Sequence, residues 1–324
     1  MMYKVKKKFG VGRLIIKEQN HMKCTVCKEN AVISLKRHNL KLCEKHFREH
    51  ILCQTERVIK HFNMFKKDDS ILLAVSGGKD SLGLWLILKE LGFNVKALHI
   101  IMPFGEYSDK SLEMVKSCAT KLNEDPIIIE ANEYLEIDFF KALKIYKKPI
   151  CSFCGKIKRY ILSIYANKNS YNVISTGHNL DDETAFLLGN VLHWHTEYLN
   201  KQGPILESNQ FMPRKVKPLI RITDEEMKFF ADISKIGYVE EKCPHSRYAK
   251  SIFFKEILNE IDDQMPGTKA FFYLQYIKNI KGVFFQESNE KLKGCKICQY
   301  QTYNDDICFL CNIKSKMKRT ENEH

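Results

Sequence analysis

Ser76-Gly77-Gly78-Lys79-Asp80-Ser81 lies between the apolar run Ile71 to Val75 and a helical pattern from Asp80 to Leu91. A strand feeding a helix through two glycines lets backbone amides close on phosphate oxygens, and the helix dipole adds to the pull. Ser76 and Ser81 supply hydroxyls, and Lys79 supplies positive charge. This is not a Walker A loop. That motif requires glycine at position 73 and Ser or Thr at position 80, where Leu73 and Asp80 stand. The expected ligand is ATP, held by residues 76–81. A second stretch, Thr176 to Asp182, follows a predicted strand at the carboxyl edge of the sheet, where α/β folds bind ligands. Gly177 and His178 would approach the nucleotide there. Asp181 and Asp182 could hold Mg²⁺ on the phosphates, or simply complement a helix start. His99, ending the strand Val95 to Ile101, could line an adenine pocket or serve packing alone.

Ten of the twelve cysteines fall into three sets. Cys24, Cys27 and Cys43 with His46 have the spacing of a Cys₃His zinc site, and His50 or Cys53 is a less regular fourth ligand. Cys295, Cys298, Cys308 and Cys311 have that of a Cys₄ zinc ribbon. Each ion would fold a segment too short to fold alone. The third set is Cys151, Cys154 and the distant Cys243. Its spacing admits zinc, a redox dithiol or iron–sulfur ligation. Three thiolates with no evident fourth suit a cluster with one open iron, while a persulfide on one cysteine is the competing chemistry. Cys53 and Cys118 are expected to be small packing residues.

Positioning these groups requires an α/β fold. Strands at Ile71–Val75, Val95–Ile101, Pro126–Glu130 and Val173–Thr176 alternate with predicted helices over Ser108–Asn123, Lys156–Asn167, Asp181–His193 and Asp224–Ile236. That alternation predicts a parallel sheet with helices on both faces. Two further helices are expected over Tyr248–Ile261 and Lys269–Ile280. The expected organisation is a basic extension (1–21), a zinc finger (22–53), the nucleotide domain (54–245), a helical extension (246–290), a zinc ribbon (291–313) and a basic tail (314–324). The formal charge of +13 over 324 residues suits a polyanionic partner such as RNA. No apolar run approaches the roughly 20 residues a membrane span needs, and no secretory signal is evident, so a cytoplasmic protein is expected.

The pattern S-G-G-x-D-S resembles the loop of the ATP-pyrophosphatase (PP-loop) superfamily, whose members split ATP between the α- and β-phosphates and adenylylate an oxygen. Combined with Cys-x-x-Cys plus a distant Cys and two zinc knots, the chain resembles the tRNA 2-thiouridine synthetases of the TtuA/NcsA type. Ser76–Ser81, Thr176–Asp182, Lys217-Pro218-Leu219, Cys243-Pro244 and Pro266-Gly267-Thr268-Lys269 carry the likeness from Met22 onward. It implies a [4Fe-4S] cluster on Cys151, Cys154 and Cys243 whose fourth iron carries the sulfur, catalytic roles for Lys158 and Asp182, Mg²⁺ held by Asp80 or Asp182, and a homodimer. It also implies tRNA as partner, with free sulfide or a ubiquitin-like carrier as sulfur donor. Alternatives are another PP-loop tRNA enzyme, cytidine-thiolating or lysidine- or amide-forming, and a non-catalytic zinc-ribbon RNA-binding protein. Intact Ser76, Asp80 and Ser81 weigh against the last.

Overall fold

The computed structural model describes residues 22–246, 250–281, 283, 292–303 and 306–322. The basic extension 1–21 lies outside the described residues, as do Tyr248 of one expected helix, most of 281–291 and the end of the tail. The chain divides into two compact units, meeting between Phe47 and Arg48.

In the first unit, β1 (Ile33–Leu35) and β2 (Leu40–Leu42) form an antiparallel hairpin, and α1 (Glu44–His61) begins two residues later. Asn39 closes the hairpin turn in the left-handed region at φ 51°, which its short polar side chain tolerates.

The second unit carries β3 (Ile71–Val75), α2 (Lys79–Glu90), β4 (Val95–Ile101), α3 (Glu106–Leu122), β5 (Ile127–Glu130), α4 (Ala131–Leu135), α5 (Phe139–Tyr146), α6 (Ile150–Lys168) and β6 (Val173–Thr176). It continues through α7 (Leu180–Leu192), α8 (Thr196–Lys201), β7 (Ile205–Leu206), β8 (Arg214–Val216), α9 (Asp224–Ile233), α10 (Lys250–Gln264) and α11 (Thr268–Gln275). The last elements are β9 (Leu292–Gly294), β10 (Gln301–Tyr303) and α12 (Phe309–Asn322).

The main sheet runs β5-β4-β3-β6-β8-β7, parallel throughout except for the short antiparallel edge strand β7. This is the expected α/β sheet, with β7 and β8 added. Leu72, Leu98, Ile100, Ile129 and Ile174 present one face to Phe153, Ile157 and Ile161 of α6, all three fully buried. Burial of each such side chain contributes about 1.5–3 kcal/mol, which fixes the helix against the sheet. Cys295, Cys308, Cys311, Leu310 and Ile313 belong to the same apolar cluster, and the Tyr160 and Tyr300 rings stand 4.8 Å apart. The C-terminal cysteine module therefore shares the core of the sheet domain. Elsewhere α2 packs against α3 and α9, and α7 against α10 and α11.

One predicted boundary moves. The helix expected from Lys156 starts at Ile150, so Cys151 lies in its first turn and Cys154 opens the second. Pro149 takes the N-cap position, where its missing amide costs nothing, and Gly155 is tolerated within the helix.

Candidate functional site

The nucleotide loop is held from within. Ser76 N–H donates to Ser81 Oγ (3.0 Å), and the Ser81 hydroxyl donates to the Gly78 carbonyl (3.0 Å). Ser81 is thus committed to shaping the turn. Gly77 sits at φ 80°, and a Cβ there would lie 2.7 Å from the Ser111 carbonyl oxygen, so two separate constraints demand glycine. Gly78, at φ −86°, has ordinary geometry and open space around it, with only Ser76 Oγ at 3.6 Å from a built Cβ. Among the described residues no side chain caps α2, which leaves its first amides open to an anion.

Lys79 Nζ lies 2.9 Å from Asp80 Oδ2 and 2.7 Å from Asp224 Oδ1, and these carboxylates hold its pKa up despite burial. Burial drives the Asp80 carboxyl upward, Asp224 and Asp182 add to it, and Lys79 offsets part. Burial pushes Asp224 up as well, but Lys79, Lys255 and the Asn179 amide outweigh it and hold this carboxyl low. Asn179 Nδ2 donates to Asp80 Oδ1 at 3.0 Å.

The stretch 176–182 packs directly on this loop. A Cβ at Gly177 would lie 2.8 Å from Ser81 N, so glycine is required there by contact between the two loops. Asn179 and Asp182 form a reciprocal capping box on α7, and Asp182 Oδ1 also meets Lys255 Nζ at 2.6 Å. Asp181 is buried, accepting from Lys269 Nζ (2.7 Å) and the Asp224 amide (2.8 Å). Of the two neighbouring carboxylates, Asp181 is spent on structure. Glu183 is likewise consumed, by Lys217 Nζ at 2.7 Å and the Tyr273 hydroxyl at 2.8 Å. His178 is half-buried with its Nδ1 2.9 Å from Thr176 Oγ1, and desolvation and the Lys217 charge keep its pKa low.

His99 is 2% exposed and donates from Nδ1 to the Val75 carbonyl at 2.9 Å. Burial keeps the ring neutral, so Nε2 is an acceptor, and among the described residues it has no hydrogen-bond partner. The Lys158 charge acts on both His99 and Cys154, so this lysine lies near each of them.

Cys151 and Cys154, three residues apart, share one face of α6 near its N-terminus. Burial raises the Cys154 thiol, Cys243 and Cys151 raise it further, and Lys158 and Arg159 pull it back. Cys151 Sγ contacts the His245 carbonyl at 3.1 Å, and the Phe104 ring packs on His245 at 4.8 Å. The Val239 amide donates to the Gly77 carbonyl at 3.0 Å. The segment from Val239 to His245 therefore starts on the nucleotide loop, carries Cys243, and ends on Cys151.

The terminal cysteine sets are tighter. A tetrahedral ion with metal–sulfur bonds of about 2.3 Å places its thiolates roughly 3.8 Å apart. In the first unit, Cys27 and Cys43 sulfurs are 3.8 Å apart, with His46 Nδ1 at 3.2 Å from Cys43 Sγ and 3.6 Å from Cys24 Sγ. In the second, Cys298 and Cys308 sulfurs are 3.6 Å apart, and the Cys308 amide donates to Cys295 Sγ at 3.2 Å. Both sets of four ligand atoms converge within 4.8 Å, as a single bound metal ion requires. Cys151, Cys154 and Cys243 do not form such a set among the described residues. Cys151 and Cys243 are nonetheless near enough to Cys154 to raise its thiol.

Sequence reasoning missed Asp224, Lys255 and Tyr107, whose hydroxyl is raised by burial and by the nearby Cys243 and Cys154. Nothing local distinguishes them. The N-terminal position of Asp224 on a helix was their single available signal.

A parallel sheet with this loop at its carboxyl edge defines a PP-loop protein, and residues 49–261 match the family model described as PP-loop domain. Residues 23–48 match the model described as 2-thiouridine synthetase TtuA, N-terminal LIM domain. The chain belongs to the TtuA family of tRNA 2-sulfurtransferases within the PP-loop class. It is 39% identical over 304 residues to the tRNA-5-methyluridine(54) 2-sulfurtransferase of Thermotoga maritima, covering 93% of this chain and 99% of the relative. To the protein of the same name from Pyrococcus horikoshii it is 40% identical over 293 residues, covering 90% and 93%. The solved structure of the U34-tRNA thiolase NcsA from Methanococcus maripaludis with its [4Fe-4S] cluster superposes with a TM-score of 0.75 at 23% identity, covering 90% of this chain and 95% of that one. At that identity the likeness is one of fold. No helix among the described residues is long and apolar enough to cross a membrane.

Proposed function

We propose that this protein converts a tRNA uridine to 2-thiouridine at the expense of ATP. The observation that carries the reading is the continuous segment from Val239 on Gly77 to His245 on Cys151, which ties a nucleotide loop to a trio of thiols.

Uridine O2 is too poor a leaving group to be displaced as oxide. In the proposed course, O2 attacks the α-phosphorus of ATP, the bond to the β-phosphate bridge breaks, and pyrophosphate departs. Hydrosulfide then adds to C2, the C2–O bond breaks, and AMP leaves with the original oxygen. The uncapped amides of α2 and Lys79 neutralise charge accumulating on pyrophosphate. Asp80 or Asp182 would hold Mg²⁺ on the phosphates. Gly78 leaves the space a phosphate needs. His99 Nε2 can accept from an adenine amino group, with Gly177 and His178 closing the same edge. Lys158 holds a proton or positive charge toward the adenylylated oxygen.

Cys151, Cys154 and Cys243 would hold a [4Fe-4S] cluster, which supplies an open Lewis-acidic iron for a sulfur ligand. The two terminal sets would hold Zn²⁺, since reduced thiolates with one imidazole, or four thiolates, are its usual structural shells. The remaining expectations also stand within this proposal: free sulfide or a ubiquitin-like carrier as donor, a homodimer, and a cytoplasmic setting that keeps the thiols reduced.

The test is the fate of ATP. With unmodified tRNA and sulfide under anaerobic conditions, the products should be AMP and pyrophosphate in equal amounts, formed only with tRNA. ADP and inorganic phosphate would remove the adenylylation step and with it the reading.

A further inference from the structure

Chemistry at C2 of a uridine requires the base to leave its stack, and extruded bases are held by aromatic faces and by hydrogen bonds to their edges. Beside Cys243 the structure has an open cleft of about 560 Å³, bordered by Lys242, Cys243, Pro244, Ser246, Phe253 and Glu256. That volume suits a nucleoside. One wall is a tight turn in which the Ser246 hydroxyl donates to the Cys243 carbonyl at 2.7 Å. The other is α10. Phe253 is 61% exposed, an unusual position for a large aromatic ring unless something covers it. Phe253 and Glu256, three residues apart, share one face of the helix. From the adjoining face Lys255 reaches Asp182. A single helix thus borders both Cys243 and the carboxylate at the nucleotide edge.

We propose, on the basis of the function argued above, that this cleft is the pocket for the acceptor base. The uracil ring lies on Phe253, its N3–H donates to the Glu256 carboxylate, and Lys242 meets the flanking phosphate. The arrangement also explains a choice of substrate. Cytosine has a lone pair at N3, which would face the carboxylate unpaired, so Glu256 favours uridine over cytidine.

The experiment uses the full-length holoprotein, prepared anaerobically, with tRNA carrying either uridine or cytidine at the target position, and with tRNA carrying 5-bromouridine there for photocrosslinking. Phe253→Ala should raise KM for tRNA about tenfold, as loss of one stacking platform does, and Phe253→Tyr should restore it. Glu256→Gln should lower the uridine-over-cytidine preference by at least about tenfold, because an amide can serve either N3. The crosslink should map to the peptide containing Phe253. Unchanged KM in Phe253→Ala, unchanged base preference in Glu256→Gln, or a crosslink elsewhere would overturn the pocket. A wild-type protein that crosslinks through Phe253 yet forms no thiouridine would instead remove the functional reading and leave the base pocket standing.

Discussion

Asp182 Oδ1 and Lys255 Nζ stand 2.6 Å apart, joining the first turn of α7 to α10. Both side chains are about a quarter exposed, so the pair contributes at most about 1 kcal/mol to stability. Its larger effect is to aim a carboxylate already fixed by the capping box. Lys255→Met should lower the thiolation kcat about 10- to 100-fold while KM for ATP stays near wild type. Its melting temperature should fall by no more than about 2–4 °C. Steady-state kinetics with thermal unfolding separates the two effects, and a loss of activity matched by a large loss of stability would contradict the positioning role.

Gly77 and Gly78 make a paired test of the loop. Gly77→Ala meets both a positive φ and the Ser111 backbone, and should cost about 1–3 kcal/mol of stability. Gly78→Ala has ordinary φ and no close neighbour, so the fold should change by less than about 1 kcal/mol. ATP affinity should nevertheless drop at least tenfold, because the added methyl enters the phosphate space. Calorimetric titration with ATP alongside denaturant unfolding checks both halves.

Lys215 makes stability depend on pH. Burial, aided by the Arg159 charge, lowers its pKa to about 8 from an ordinary 10.5. Below pH 8 the ammonium is charged in both folded and unfolded chains, and folding bears the full desolvation cost. Between pH 8 and 10.5 the unfolded chain binds more protons than the folded one, so the Lys215 contribution to stability rises with pH. Lys215→Met should therefore stabilise the protein at pH 7 by about 3 kcal/mol, an advantage that fades as pH passes through 8 to 10.5. Urea unfolding at several pH values gives the sign directly.

Cys308 sits in the same apolar cluster as α5 and α6, so losing the C-terminal metal should loosen the helix that carries Cys151, Cys154 and Lys158. Cys308→Ala is expected to lower unfolding free energy by at least about 3 kcal/mol and to reduce iron retention, although Cys308 belongs to the other metal set. Metal analysis and hydrogen exchange of α6 would report it. Unchanged exchange in α6 would contradict the shared core.

Local features were legible in the sequence because their signals are local. The loop 76–81 announces itself by residue types, and the paired cysteines by spacing. The parallel sheet follows from alternation of apolar runs with amphipathic ones. Other features had no such mark. Asp224 and Lys255 acquire meaning only through partners far along the chain, Lys79 and Asp182. The start of α6 was misplaced because cysteines and Gly155 resemble a loop, while Pro149 is compatible with a helix start. At five and eight residues, α4 and α5 are too short to show a helical period clearly, and β8 has only three residues. Gly177 was read as making room for nucleotide, and the Ser81 backbone adds a second demand for glycine that only the fold reveals.

The central claim is sulfur insertion at C2 of a tRNA uridine. Its most direct measurement is nucleoside analysis of unmodified tRNA after anaerobic incubation with the holoprotein, ATP and sulfide. The account predicts 2-thiouridine at a single position, formed in proportion to AMP and lost in Cys243→Ala. Intact holoprotein that consumes ATP and leaves every uridine unthiolated would contradict it.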